Sequence, residues 1–218
     1  MATYLDLVNR ALIKLREFTV ADITTTRYST LIGAFANDAK RMVEDAWDWT
    51  VLRDTILINT VIGQEAYDLT GTGPRVKILE VLNNTRDHTL RPLNSNAFIR
   101  QKFLGTQTNA QPVWYRLTSG STPGIIGFDL WPIPSAVDQL VFEVVQPQAE
   151  LVTSATVVTL DIGVPAMVNY IWAMGVVERG ETGGTGLAAI EQMAKSDLAD
   201  AVAIDRSRVA DEATWTAN

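Results

Sequence analysis

The chain has no cysteine and only one histidine, and both shortages exclude classes of function. Without thiols it can form no disulfide, no thiolate zinc site and no cysteine nucleophile, and such a composition is typical of assembly in a reducing cytoplasm. The single imidazole, His88, argues against any mechanism that needs a histidine pair. Its position after Asp87, in a predicted turn, is typical of a surface histidine.

Long apolar runs and basic patches are also missing. No apolar run approaches the roughly 18 residues that span a membrane. A charge as early as Asp6 leaves no apolar signal core, so we expect neither export nor membrane association. The net charge is −7, and residues 163–218 contribute 4 Lys and Arg against 8 Asp and Glu. A specific DNA binder normally neutralises phosphates with a basic patch, so at most we expect nucleic acid to pass without adhering.

Catalytic and cofactor motifs are not recognisable. The glycine-rich stretch 71–74 lacks the Lys-Ser/Thr ending of a phosphate loop, and 183–186 has no strand before it. No serine lies in a Gly-x-Ser-x-Gly setting. Glu44, Asp45 and Asp48 are interpreted as a solvated helix face. We therefore expect no enzyme activity, no cofactor and no metal site.

The N-terminal region is predicted to be a pair of helices. The first covers 4–17, with Thr3 as its N-cap and Asp6 in the position that completes a capping box. A polar loop at 19–26 leads to a second helix over 28–49. Steps of four and three residues predict that one face of this second helix is buried: Tyr28, Ile32, Phe35, Ala39, Met42, Ala46 and Trp49.

The middle of the chain has the pattern of β-strands. Stretches 55–62 and 66–69 flank Gly63 and predict a hairpin. Ser95 is a candidate cap for a short helix within 94–104. The other predicted strands are 75–82, 113–118, 125–131 and 139–145. Short strands joined by tight turns favour an antiparallel sandwich or small barrel.

The last quarter returns to helix. Residues 166–178 are apolar almost all round, which predicts burial on several sides, one of them facing another subunit. A glycine-rich break at 180–186 precedes an amphipathic helix that ends near Arg206. The predicted fold is therefore α+β. Residues 1–54 and 163–206 form a helical body, 55–162 an inserted antiparallel β-sandwich or barrel, and 207–218 an extended C-terminal tail.

The six tryptophans allow two interpretations. Trp47, Trp49, Trp131 and Trp172 are predicted to pack in the core and to hold the joints between helical body and β-domain rigid. The alternative is a β-sandwich that binds carbohydrate or a receptor, with Trp114 and Trp131 as an exposed platform.

Several motifs resemble one protein family. Five stretches carry this likeness: the opening helix at 3–10, the Trp47-Asp48-Trp49 corner, the Gly-x-x-x-Tyr pattern at 63–67, the strand that ends in two prolines at 129–134, and the return to helix through 164–172. Together they resemble the head-to-tail adaptor (connector) proteins of tailed phages. The nearest group is the tail accessory factor or tail tubular protein A-like family of short-tailed phages.

This resemblance implies a structural virion protein without catalysis. It implies a ring, in the family's common form a dodecamer, assembled in the host cytoplasm at the head–tail junction. The implied partners are the portal protein above, tail nozzle or tail fibre proteins below, and genomic DNA that passes through the channel. The tail would then be the portal-docking arm, with Arg208, Val209 and Trp215 as its candidate contact residues.

Overall fold

A computed structural model of the chain describes residues 1–104, 109–181 and 185–208. The fold is α+β and divides into two compact units. The helical unit combines Met1–Leu52 with Gln148–Asn218, and the β-unit is Arg53–Pro147. The described α-helices are α1 Tyr4–Lys14, α2 Arg27–Asp45, α3 Ser95–Leu104, α4 Val164–Glu178 and α5 Thr185–Arg208.

Helix α1 begins where its cap predicts. The Thr3 hydroxyl accepts from the Asp6 backbone N–H at 3.2 Å, and the Asp6 carboxylate accepts from the Thr3 N–H at 2.8 Å. These reciprocal bonds satisfy two backbone donors that a helix start leaves unpaired. Hydrogen bonds from the Thr3 backbone and the Thr3 side chain lower the pKa of the Asp6 carboxyl. The helix ends at Lys14, three residues before the predicted end at Glu17.

Helix α2 buries a face that overlaps only in part with the one predicted, since Ile32 and Ala39 belong to both. Its buried apolar residues are Ile32, Ala36, Ala39 and Val43, whereas Met42 is 48% exposed. The prediction failed because it treated every charged residue as solvated. Lys40 and Glu44 are in fact buried, and the buried face includes them. The helix also stops at Asp45, so both tryptophans of the corner lie beyond it.

Residues 148–162 belong to the helical unit, which corrects the predicted β-domain boundary at 162. No regular strand forms in this segment. The backbone N–H of Tyr4 donates to the Thr156 carbonyl at 2.8 Å, and the Leu151 N–H donates to the Asn37 side chain at 2.8 Å. The segment is therefore held by α1 and α2.

Helices α4 and α5 complete the helical unit. Pro165 lies in the first turn of α4, where its missing N–H costs nothing. Ala166, Met167 and Ile171 are fully buried. Helix α5 continues to Arg208, two residues beyond the predicted end. None of the helices in the described residues is both long and apolar enough to cross a membrane.

The described residues of the β-unit form two four-stranded sheets. Its strands are β1 Arg53–Asn59, β2 Ala66–Asp68, β3 Lys77–Asn83, β4 His88–Thr89, β5 Arg91–Pro92, β6 Trp114–Ser119, β7 Ile126–Trp131 and β8 Gln139–Val145. The strand orders are β1-β8-β3-β4 and β2-β7-β6-β5. Strands β5 and β6 pair in parallel, so the second sheet is mixed, where the sequence predicted only antiparallel pairing.

The predicted hairpin around Gly63 is wrong. Strand β1 pairs with β8, and β2 pairs with β7 in the other sheet. Gly63 has a positive φ of 79° and makes the turn between the two sheets. Phe128 of β7 and Phe142 of β8 pack at a ring-centroid distance of 4.7 Å, so one core receives side chains from both sheets.

Candidate functional site

The aromatic corner contains one buried and one exposed tryptophan. Trp49 is fully buried, and its indole N–H donates to the Val43 carbonyl at 2.8 Å, which satisfies an acceptor near the end of α2. Trp47 is 36% exposed, so the predicted core role does not apply to it. Within the helical unit, the corner is fixed by Trp49.

Two further tryptophans oppose each other in the β-unit. Trp114 and Trp131 are register partners on β6 and β7. Trp131 is only 4% exposed and meets the Phe98 ring edge-on at 6.4 Å. A platform that needs Trp131 at the surface is therefore not formed.

Trp172 lines a cavity of about 390 Å³ in the helical unit. The Lys14 ammonium lies 5.0 Å from its ring centroid. The Arg179 guanidinium, on the same cavity, donates to the Tyr28 hydroxyl at 2.7 Å and to the Glu17 carboxylate at 2.6 Å. Burial lowers the pKa of Arg179, but these two partners raise it by more, so the net direction is upward. Both Lys14 and Arg179 are thus engaged by the protein itself.

A second cavity, of about 540 Å³, is an apolar groove between α2, α4 and α5. Its apolar walls are Phe35, Met42, Tyr170, Met174 and Val177. Val177 is 49% exposed, so the groove opens at the surface. Burial raises the pKa of the Tyr170 hydroxyl, which is consistent with an apolar wall. The all-round apolar sequence of α4 was the signal for such a surface, although it did not identify the groove.

Glu178, Glu191 and Lys195 carry charge at the same groove. Glu178 extends the α4 wall, and the other two come from α5. All three side chains are exposed. The groove therefore has an apolar floor with charge at its border, an arrangement typical of surfaces that bind a protein segment.

The chain returns to the helical unit at Gln148, where a buried ion pair holds it. Lys40 and Glu44 are separated by 3.1 Å, with side chains only 2% and 1% exposed. The Lys40 ammonium donates to the Gln148 carbonyl at 2.7 Å, and the Gln148 N–H donates to Glu44 at 3.2 Å. Sequence reasoning missed this pair because it placed Glu44 on a solvated face.

The chain leaves the helical unit just after Thr50, which is held by a single carboxylate. Asp205 of α5 is fully buried and accepts from the Thr50 N–H at 3.0 Å and from its hydroxyl at 3.2 Å. The other Asp205 oxygen finds no hydrogen-bond partner among the described residues. No sequence pattern pointed to this contact, which joins residues 155 positions apart.

The remaining candidates do not assemble into a chemical site. In the part of the chain that the structure describes, no group of three or more His, Cys, Asp or Glu side chains could hold a metal ion. His88 is half-buried, and Nε2 lies 2.8 Å from the Pro112 carbonyl while Nδ1 lies 2.8 Å from the Gln111 amide. Its ring nitrogens are thus used in local contacts.

Of the predicted docking residues, Arg208 is exposed at the end of α5. Val209 and Trp215 lie outside the described residues. Neither a set of protein-family models nor the curated protein sequences contained a match to the chain.

Proposed function

We propose that this chain is a structural virion protein, a head-to-tail adaptor of a tailed phage. Copies of the chain form a ring, a dodecamer in the family's common form, beneath the portal protein. The ring prolongs the DNA channel and provides the attachment site for tail nozzle or tail fibre proteins. The role requires no catalysis and no cofactor.

One observation carries the proposal: the β-unit is inserted into a helical unit built from both ends of the chain. The resembled adaptors have this same layout, and one of the motifs that carry the likeness, the Trp47-Asp48-Trp49 corner, lies close to Leu52, where the N-terminal part of the helical unit ends. The capped α1 and the buried Trp49 lie where the resemblance requires a helix start and an aromatic corner. On this proposal, the two sheets form a sandwich closed around the Phe128–Phe142 contact, and the chain ends in an extended tail.

The acidic balance supports the role assigned to DNA. A net charge of −7 disfavours adhesion to phosphates, so DNA slides through the ring without sequence-specific binding. The proposal assigns the protein to the head–tail junction of the virion, after assembly in the host cytoplasm, with no membrane partner.

Negative-stain microscopy of the chain mixed with the portal protein of the same phage tests the proposal. We expect a ring of extra density beneath the portal. Its absence at saturating concentration would overturn the assignment. A titration with sugars, followed by tryptophan fluorescence, should give no response, and a saturable response would favour the binding-module alternative.

The docking arm has its own test. Truncation after Arg208 leaves α5 whole and removes Val209 and Trp215. We expect this variant to keep its circular dichroism spectrum and to lose portal binding. Unchanged portal binding would remove the docking role from residues 209–218.

A further inference from the structure

The apolar groove between α2, α4 and α5 needs an occupant. Phe35, Met42, Tyr170, Met174 and Val177 place apolar surface around a cavity of about 540 Å³ that opens to solvent. Soluble proteins rarely leave a contiguous apolar surface of this kind uncovered, and such patches mark binding sites.

The α5 side of the groove continues towards the C-terminal end of that helix. Lys195, at the groove, is followed at steps of three and four residues by Leu198 and Val202, so all three lie on one face of α5. Leu198 and Val202 are half-buried. A partly apolar path therefore leads from Arg208, where α5 ends, back to the groove.

The chain beyond Arg208 has the right length to follow this path. From Arg208 back to Lys195 are 13 helical residues, a rise of about 20 Å. From Arg208 to Trp215 are seven residues, which span about 23 Å when extended. A strand that runs back along α5 therefore brings Trp215 to the level of the groove.

Trp215 also fits the groove chemically. It is the only aromatic residue after Trp172. An indole ring buries roughly 200 Å² of surface. Its N–H is a donor without an acceptor function, and the Glu178 and Glu191 carboxylates at the groove are acceptors.

We propose that the groove is the docking site of the chain's own segment 209–218, with Trp215 seated between α2 and α4. This inference is independent of the proposed function, because it concerns the free chain. One consequence rests on the proposed function: a docked Trp215 is withheld from the portal, so portal binding requires its release from the groove.

The absence of native cysteine allows a direct crosslinking experiment. Val177→Cys on the groove and Ala217→Cys in the segment, two residues beyond Trp215, form a pair for a short bismaleimide reagent. We expect rapid crosslinking within one chain, read as a mobility shift of the monomer. No portal protein is needed, so the result does not depend on the adaptor assignment.

Three further substitutions, each made in the chain that carries the two cysteines, test whether Trp215 contacts the groove. Trp215→Ala and Met42→Glu should each slow crosslinking about tenfold, because the docked state raises the effective concentration of the two thiols. Met193→Glu is the matched control. Met193 and Met42 are both 48% exposed, but Met193 does not line the groove, so its substitution should leave the rate unchanged.

Several results would overturn the proposal. One is a crosslinking rate that Trp215→Ala leaves unchanged. Another is a product that forms only between chains, which would make a second copy the occupant. As an independent measurement, truncation after Arg208 should increase hydrogen exchange at the C-terminal end of α4. Exchange that is identical with and without the segment would equally contradict docking.

Discussion

The chain passes between the helical unit and the β-unit twice, and the two passages are held in different ways. At Gln148 a complete ion pair, Lys40 with Glu44, binds both the backbone carbonyl and the backbone N–H. At Thr50 a single carboxylate, Asp205, binds an N–H and a hydroxyl and keeps one oxygen without a partner among the described residues. Buried charge can therefore fix a backbone position either as an ion pair or as a single acceptor.

Breaking the pair at Gln148 should have the largest effect. Glu44→Ala breaks a buried ion pair by removing one of its two charges, which costs about 3–5 kcal/mol in the free energy of unfolding. Urea denaturation measures this loss. The double variant Lys40→Met/Glu44→Leu should recover most of it, because neither charge of the pair then remains buried.

An exposed ion pair between α2 and the segment 148–162 is the control. Arg41 and Glu150 are separated by 2.9 Å, with side chains 49% and 69% exposed. Glu150→Ala should cost less than about 1 kcal/mol, since solvent screens the pair. Equal losses for Glu44→Ala and Glu150→Ala would show that burial does not decide the difference.

Asp205, the single carboxylate that binds Thr50, should contribute less to the free energy of unfolding than the Lys40–Glu44 pair. Asp205→Ala loses two hydrogen bonds to Thr50 but also removes a buried oxygen without a described partner, so we expect a cost of about 2 kcal/mol. The measurement is again urea denaturation. A loss of stability as large as that of Glu44→Ala would contradict this prediction, because the two passages would then be stabilised equally.

Trp49 and Trp47 lie near the first passage and differ in burial. Trp49→Phe removes the indole donor from the Val43 carbonyl, which keeps the Ala46 N–H at 3.3 Å, and costs about 1 kcal/mol. Trp47→Phe should be close to neutral, because that side chain is already 36% exposed. Thermal unfolding of both variants measures the difference. Equal shifts in Tm would show that the corner does not depend on Trp49.

The smallest effect concerns a charge at the surface. Hydrogen bonds from the Thr24 and Ser154 hydroxyls, at 2.5 Å and 2.7 Å, and from the Thr24 backbone lower the pKa of Asp22 from 3.8 to about 2. Because the pKa is lower in the folded state, the stabilisation is complete above pH 3.8 and is lost as the pH falls towards 2. Asp22→Asn should flatten the stability profile across that window. A variant profile parallel to the wild type would exclude this contribution.

Local signals predicted the local parts of the fold. Thr3 and Asp6 predicted the start of α1 because both capping bonds lie within four residues of sequence. Strand β8 was predicted over its full length, 139–145, from its own pattern. A short helix does form within 94–104, but Ser95, the predicted cap, is its first helical residue, and the Asn94 side chain accepts from the Ala97 N–H at 2.8 Å instead.

The predictions that were wrong concern contacts between residues far apart in the chain. Glu44 faces inward because Gln148 supplies its donor, and that donor lies 104 positions away. The Gly63 turn looked like a hairpin, yet the strands on its two sides find their partners in β7 and β8. The candidate site was the least predictable part, since the groove needs three helices that the sequence could only predict separately.

The division of the helical unit between the two ends of the chain imposes an order on its synthesis. Ribosomes make Lys40 long before Gln148, and all eight strands of the β-unit are complete before α4 begins. Until then α1 and α2 have no α4 to pack against, and Lys40 and Glu44 form an ordinary solvated pair on a nascent helix. The inserted domain can therefore finish folding co-translationally, whereas the domain that carries it must wait until α4 and α5 have been made.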